Sequence, residues 1–226
     1  MRKGLSLSLK VSVVIISLVG VVWSFFNATE DGYSHWAKRL LYFTSESNIW
    51  IAIVFAALIF VQIYEKKRNP SNMKDVLYLV RYIFTISITL TGLIFCVVLA
   101  PGADNADYNA WTMASVMTHV IVPILSIADF FVDDYRITLK RRHIFYTAIP
   151  PLAYLIFSSI LGLSGVDFGR GDNFPYFFLN FNSPAGFFGT SDVMPYRIGS
   201  FYWIVFMLGI ILGFGALYKK LYKSKK

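Results

Sequence analysis

The stretch VMTHVIVPILSIADFF, Val116 to Phe131, sets a histidine, a proline and an aspartate inside a run otherwise apolar enough to cross a membrane. Ionisable side chains are costly in hydrocarbon, so each one there needs a partner, a cavity or a task. The chain around it is of the same character: of 226 residues, 56% are hydrophobic, 18% aromatic and only 15% charged. Charges gather in short blocks between long apolar runs, as in a membrane protein whose spans each need about 20 mostly apolar residues. Six such runs are present, 5–27, 40–64, 76–100, 110–132, 144–163 and 196–221. Each reads as a helix, because period-two alternation is absent and a lone strand leaves its backbone groups unpaired in lipid. The expected fold class is therefore all-α, a polytopic bundle of six transmembrane helices forming one domain over residues 1–226.

The N-terminal run continues to Phe26 and no small-x-small cleavage site closes it, so it reads as a retained first span. An even number of spans puts both termini on one side. Lysine and arginine concentrate in cytoplasmic connections. The N-terminus (Arg2, Lys3, Lys10), the second connection (Lys66, Lys67, Arg68, Lys74), the fourth (Arg136, Lys140, Arg141, Arg142) and the C-terminus (Lys219, Lys220, Lys223, Lys225, Lys226) hold sixteen. The other side holds four: Lys38, Arg39, Arg170 and Arg197. This predicts cytoplasmic termini and an integral protein of a plasma membrane, expected to be bacterial. The net charge of +8 is then a topology signal whose partner is anionic lipid at the cytoplasmic face. Nucleic acid is excluded as a partner, since no basic patch interleaved with aromatics lies outside the spans. The single cysteine, Cys96, reads as mid-span packing.

Several polar residues fall inside the spans. Thr44, Ser47 and Asn48 follow one another at i, i+3 and i+4 on one face of the second helix. At 1.5 Å per residue, Thr44 and Asn48 lie roughly 6 to 12 Å below the external surface and His119 roughly 13 Å below it. If the second and fourth spans adjoin, a hydroxyl and an imidazole come within hydrogen-bond reach. A threonine hydroxyl is a poor nucleophile until a base takes its proton, and histidine is the usual base. Asn48 is a candidate to orient the ring or donate to an oxyanion, with Ser47 beside it as a pocket candidate. The bland reading makes all of these helix-to-helix hydrogen bonds. Arg81 and Asp129 lie at equal depth near the inner ends of the third and fourth spans and are expected to pair. Glu46 is expected to pair with Lys38, Arg39 or Arg197. His35 and His143 read as interfacial, and three scattered histidines without cysteine partners match no metal template. No cofactor motif is present. Pro123 is expected to bend the fourth helix and set the angle at which His119 faces the pocket.

The fifth connection, 164–195, is too long for a turn and rich in phenylalanine, which makes it a lid or an interfacial anchor.

YFTSESN (Tyr42 to Asn48), THVIVPILSIAD (Thr118 to Asp129) and FPYFFLN (Phe174 to Asn180), in that order within six spans, resemble the androgen-induced-gene family. That family includes the androgen-dependent TFPI-regulating protein, and uncharacterised bacterial six-span proteins look related to it. The resemblance implies a membrane-embedded hydrolase of fatty-acyl esters in which Thr44 and His119 are the catalytic pair. It places Pro175, Tyr176 and Phe177 in the family's final-loop segment. The interval from His119 to Pro123 is one residue shorter than the resemblance implies, and one residue turns a helix by about 100°. The expected substrate is a lipid or fatty-acyl ester. The alternative is a non-catalytic lipid-binding or small-molecule transport protein using the same pocket. The sequence sets no oligomeric state.

Overall fold

The computed structural model describes residues 2–64, 72–103, 109–169 and 171–222. Lys66, Lys67, Arg68, Asp104, Asp107, Arg170, Lys223, Lys225 and Lys226 lie outside the described residues. Six helices are long and apolar enough to span a membrane, and they form an all-α bundle, an integral membrane protein. They are α1 (Arg2–Phe26), α2 (Phe43–Tyr64), α3 (Met73–Leu99), α4 (Met113–Val132), α5 (Arg142–Leu163) and α6 (Ser200–Leu221). The end bearing both termini is called lower here, the opposite end upper.

The spans are not equally interior. In α3, 61% of the apolar window is buried, against 17% in α6, so α3 is the central helix and α6 rests on the flank. The core joins α1 to α4 through Val13, Ile51, Phe55, Leu58, Ile86, Ile88, Val122 and Phe130, all at most 1% exposed. Cys96 is exposed on the outer surface of α3, in place of the packed position expected for it.

Helix limits differ from the apolar runs where local chemistry intervenes. Trp36–Leu41 forms a 3-10 helix whose cap is His35, its Nδ1 accepting from the Ala37 N–H at 3.1 Å. The second span therefore starts at Phe43, three residues later than the apolar run suggests. The sixth starts at Ser200 because the chain before it is extended, with an isolated antiparallel bridge between Thr190 and Ile198.

Two helices change pitch near their upper ends. In α3 the turn Phe95–Leu99 is π-helical, and in α4 so is Met117–Ile121. In each the residue after the wide turn, Ala100 or Val122, donates its N–H to the carbonyl five residues back. Each of these residues precedes a proline, Pro101 or Pro123. A proline lacks the N–H for an i to i−4 bond and its ring presses on that carbonyl, so the preceding turn widens. The bend expected at Pro123 is thus realised as a wide turn that contains His119.

A wide turn needs room, and two glycines provide it. A Cβ on Gly20 of α1 would lie 2.9 Å from Thr118 Cγ2, and one on Gly92 of α3 would lie 2.7 Å from the His119 carbonyl oxygen.

Candidate active site

Thr44 stands in the first turn of α2 and His119 in the π-turn of α4. The Thr44 Oγ1 to His119 Nε2 distance is 3.0 Å. The other ring nitrogen, Nδ1, is 3.0 Å from the Ser115 carbonyl oxygen. A carbonyl can only accept, so Nδ1 carries the proton and Nε2 is bare. Thr44 therefore donates its hydroxyl proton to Nε2, the arrangement a general base requires. The ring face stacks on Phe95, first residue of the π-turn in α3, at 4.0 Å and 17°. Both wide turns thus converge on this imidazole, one carrying it and the other bracing it.

The upper end of the bundle is hollow here. A narrow apolar cavity of about 90 Å³ runs among α3, α5 and α6, with Leu90, Ile94, Leu155, Met207 and Leu208 in its wall. A larger cavity of about 700 Å³ opens beside it, lined by His119, Thr118, Ser45, Asp31, Arg39 and Arg197 among others. Thr44, Leu99 and Tyr176 belong to the walls of both. Thr44 consequently sits where an apolar arm meets a mixed polar arm.

The 164–195 connection folds over this junction. Phe168, Phe174, Phe178 and Leu179 are buried, and Pro175, Tyr176 and Phe177 all line the larger cavity. The Tyr176 ring stacks on Phe178 at 4.9 Å and 7° and meets Tyr42 edge-on at 5.8 Å. Burial pushes the Tyr176 hydroxyl up to about 12, against the opposing pull of the Thr44 side chain and of the Thr44 and Phe43 backbone. The hydroxyl stays protonated at neutral pH.

No protein-family model, curated protein or solved structure matches this chain. What the arrangement can do is read from its own atoms.

Other expected site residues are placed differently. The Asn48 amide donates to the carbonyls of Thr44 at 2.9 Å and Thr118 at 3.2 Å. Two carbonyl neighbours fix which end is nitrogen and occupy its protons, so Asn48 is not available to an oxyanion; it ties α2 to the π-turn of α4. Ser47 lines neither cavity and meets Thr91 Oγ1 of α3 at 3.0 Å. Glu46 has no ion pair among the described residues, because Arg39 pairs with Asp31 and Lys38 donates to the Asp167 carbonyl. His143 is buried, with Nδ1 accepting from the Lys140 N–H at 3.2 Å.

A second polar cluster lies in the lower half. Arg81 Nη1 is 2.9 Å from Asp129 Oδ2 and 2.7 Å from Asp133 Oδ2. Lys10 Nζ is 2.9 Å from Asp129 Oδ1 and 2.7 Å from Asp133 Oδ2. Ser6 donates to Asp129 at 2.7 Å and Tyr78 to Asp133 at 3.1 Å. Burial works against the charge on Asp133, yet Arg81 and Lys10 hold its carboxyl below the ordinary range. Lys10, Arg81 and Asp129 are each 0% exposed. Lys10 is therefore a buried member of α1 and not a charge of the N-terminal flank, and the basic count on the terminal side is one lower. Its signal was the polar stripe Ser6, Lys10 and Ser17, spaced by four and seven.

Proposed function

We propose that the protein is a membrane-embedded lipid ester hydrolase that uses Thr44 as nucleophile and His119 as base. The carrying observation is the 3.0 Å contact from Thr44 Oγ1 to an imidazole nitrogen left bare by the Ser115 carbonyl, at the meeting point of two cavities. The resemblance of Tyr42–Asn48, Thr118–Asp129 and Phe174–Asn180 to the androgen-induced-gene family supports the same reading.

The chemistry follows from the geometry. His119 Nε2 takes the hydroxyl proton as Thr44 Oγ1 bonds to the acyl carbon, and the carbonyl oxygen becomes an alkoxide. Collapse breaks the ester C–O bond, and the leaving alcohol takes the proton from Nε2. Water then attacks the acyl-threonine, giving a proton to Nε2 that returns to Thr44 as the fatty acid leaves. General-base assistance of this kind contributes about 10² to 10⁴ in rate. The apolar cavity suits the acyl chain, as ligand pockets are mainly apolar with a few placed polar groups. The mixed cavity takes the leaving alcohol. With cytoplasmic termini in a bacterial plasma membrane, the site opens on the outer half of the bilayer, and the basic lower face meets anionic lipid.

The test is a fluorophosphonate probe on purified protein, with the labelled residue mapped by mass spectrometry. Label on Thr44 is expected, lost in Thr44→Ala and His119→Ala and retained in Thr44→Ser. Label elsewhere, or persisting in both alanine variants, overturns the pair. No label together with a co-purifying lipid favours a binding protein instead.

A further inference from the structure

The two cavities that meet at Thr44 are unequal, about 90 Å³ and about 700 Å³, and the smaller one ends blind. Its depth can be counted from Thr44. The neighbouring helices α2 and α3 run in opposite directions and are pinned at one level by Ser47 Oγ and Thr91 Oγ1, 3.0 Å apart. Thr44, three residues above Ser47, is then level with Ile94, three above Thr91, in agreement with the stack of His119 on Phe95. Ile94 and Leu90 both line the small cavity, and Leu90 lies four residues, about 6 Å, below Ile94. On the other side α6 descends to Leu208, its deepest residue in the wall. About one turn deeper, Ile86 of α3 and Ile211 of α6 are both fully buried. A further turn down, the Tyr82 hydroxyl donates to the Gly215 carbonyl at 2.7 Å, and buried Thr147 of α5 packs against the same glycine. The helices thus close on one another beneath Leu90 and Leu208.

Two measures of this space agree. An extended chain of ~1.5 Å carbon–carbon bonds advances about 1.25 Å per carbon, so about 6 Å below Thr44 takes about five carbons. A dry cavity of roughly 150 Å³ holds the six carbons of benzene, so at the same density one of about 90 Å³ holds about four. The walls suit hydrocarbon. Thr91 and Tyr154 line the small cavity, but Thr91 donates to the Ser87 carbonyl at 3.2 Å and Tyr154 to the Leu41 carbonyl at 2.9 Å. The larger cavity instead holds Asp31, Arg39 and Arg197, charges that an alkyl chain would strip of water at a cost.

From this we infer that the substrate is an ester of a short acyl group, about four to six carbons, with a larger polar alcohol, and that Leu90 and Leu208 set the acyl limit. The inference rests on the hydrolase reading and leaves its proton balance unchanged: ester and water give the short acid and the alcohol. The short chain fills the blind cavity below Thr44, and the alcohol occupies the larger cavity. A longer chain meets Ile86 and Ile211 before its carbonyl carbon reaches Thr44 Oγ1.

The test is kcat/KM of the purified protein for a series of 4-nitrophenyl esters with acyl chains from acetyl to dodecanoyl, counting only the rate abolished in Thr44→Ala. The optimum is expected at butanoyl to hexanoyl, with octanoyl at least ~10-fold below hexanoyl, as methylenes without room are rejected. Leu208→Ala enlarges the floor and is expected to move the optimum up by about two carbons, whereas Leu208→Phe is expected to move it down. Opposite shifts from one position separate a size limit from general damage to the fold, and Leu90→Ala should repeat the upward shift from the facing helix. Rates that hold or rise through dodecanoyl overturn the inference while leaving the Thr44–His119 pair standing. So does an optimum that stays in place in both Leu208 variants and in Leu90→Ala. Absence of any Thr44-dependent rate along the series, together with absence of fluorophosphonate label on Thr44, overturns the hydrolase reading and the acyl assignment with it.

Discussion

The helix α4 carries two polar groups into the membrane interior, and their surroundings are opposite. At its lower end Asp129 belongs to a set of two cations and two carboxylates that close on one another, buried among α1, α3 and α4. At its upper end His119 uses one ring nitrogen on its own helix and offers the other to a hydroxyl on a cavity wall. Both clusters offset the cost of burial with hydrogen bonds. The lower one has matched charges and holds three helices in register. The upper one borders open cavities. Polarity in a membrane helix is therefore not itself the mark of a site; an open side is.

The sharpest way to break the comparison is to remove one charge below and one hydroxyl above. Asp129→Asn preserves shape but leaves Lys10 and Arg81 facing a single carboxylate. Breaking a buried pair in this way costs about 3–5 kcal/mol, because an uncompensated charge remains buried. Thr44→Val removes a hydroxyl that makes one interhelical bond, worth about 1 kcal/mol in membrane proteins. Denaturant unfolding in detergent micelles should show the large loss for the first variant and the small one for the second. Equal losses would mean that the upper pair is as structural as the lower. Replacing Arg81 by Met together with Asp129→Asn should cost less than the two single changes summed, since partners in one network are not additive.

The expectations that held from sequence were those resting on depth. Thr44 and His119 were placed at comparable depth by counting residues from span ends, and so were Arg81 and Asp129; each pair is in contact. Depth does not report which way a side chain turns. Ser47 shares a helical face with Thr44 on paper, yet points to Thr91, and the Asn48 amide folds back on the carbonyl four residues earlier. Lys10 was counted with the flanking charges because it lies near the chain start, although α1 begins at Arg2. Asp133 follows the last residue of its span, so the apolar run does not reveal that it belongs to the same network. The two π-turns had a legible cause, a proline just past the end of the third run (Pro101) and one inside the fourth (Pro123), but the partners that accommodate them are distant in sequence. Gly20 and Gly92 become meaningful only once α1 and α3 are known to flank α4.

That dependence on glycine gives the second prediction, which strikes the upper cluster through its support. Gly92→Ala places a methyl 2.7 Å from the His119 carbonyl and 3.1 Å from Pro123 Cγ, so backbone must yield. Overpacking of this kind costs about 1–3 kcal/mol. A displacement near 1 Å of the imidazole from Thr44 would lower probe reactivity by about 10²-fold. Gly213→Ala in α6, where nothing lies within 4 Å of the added carbon, is the control and should change stability by no more than about 0.5 kcal/mol. If Gly92→Ala reacts at the normal rate, the π-turn does not aim His119.

The smallest effect concerns the root of the 164–195 connection, where the upper cluster meets solvent. The Asp167 carboxylate accepts from the N–H groups of Gly169 at 2.7 Å and Gly171 at 3.0 Å and from Ser34 Oγ at 3.4 Å. The Gly169 bond above all, with Gly171, Lys38 and Ser34, holds its acid constant below the ordinary 3.8. A carboxyl depressed in the folded state stabilises its turn above the ordinary value, and that contribution fades as pH falls through the lower, folded one. Nothing comparable follows at neutral pH, where the group is ionised throughout. Pepsin is active in this range, so its cutting of the 164–195 connection can be followed from about pH 4 down to about pH 2, scaled to an unfolded standard. Cutting should increase as pH falls in the unmodified protein. Asp167→Asn should be cut at the higher rate across the whole range, because an amide oxygen is a weaker acceptor for the same N–H groups and does not titrate. A flat profile in the unmodified protein would show that the aromatic packing of Phe168, Phe174 and Phe178, and not this turn, holds the connection in place. The upper cluster would then resemble the lower one in being fixed by burial.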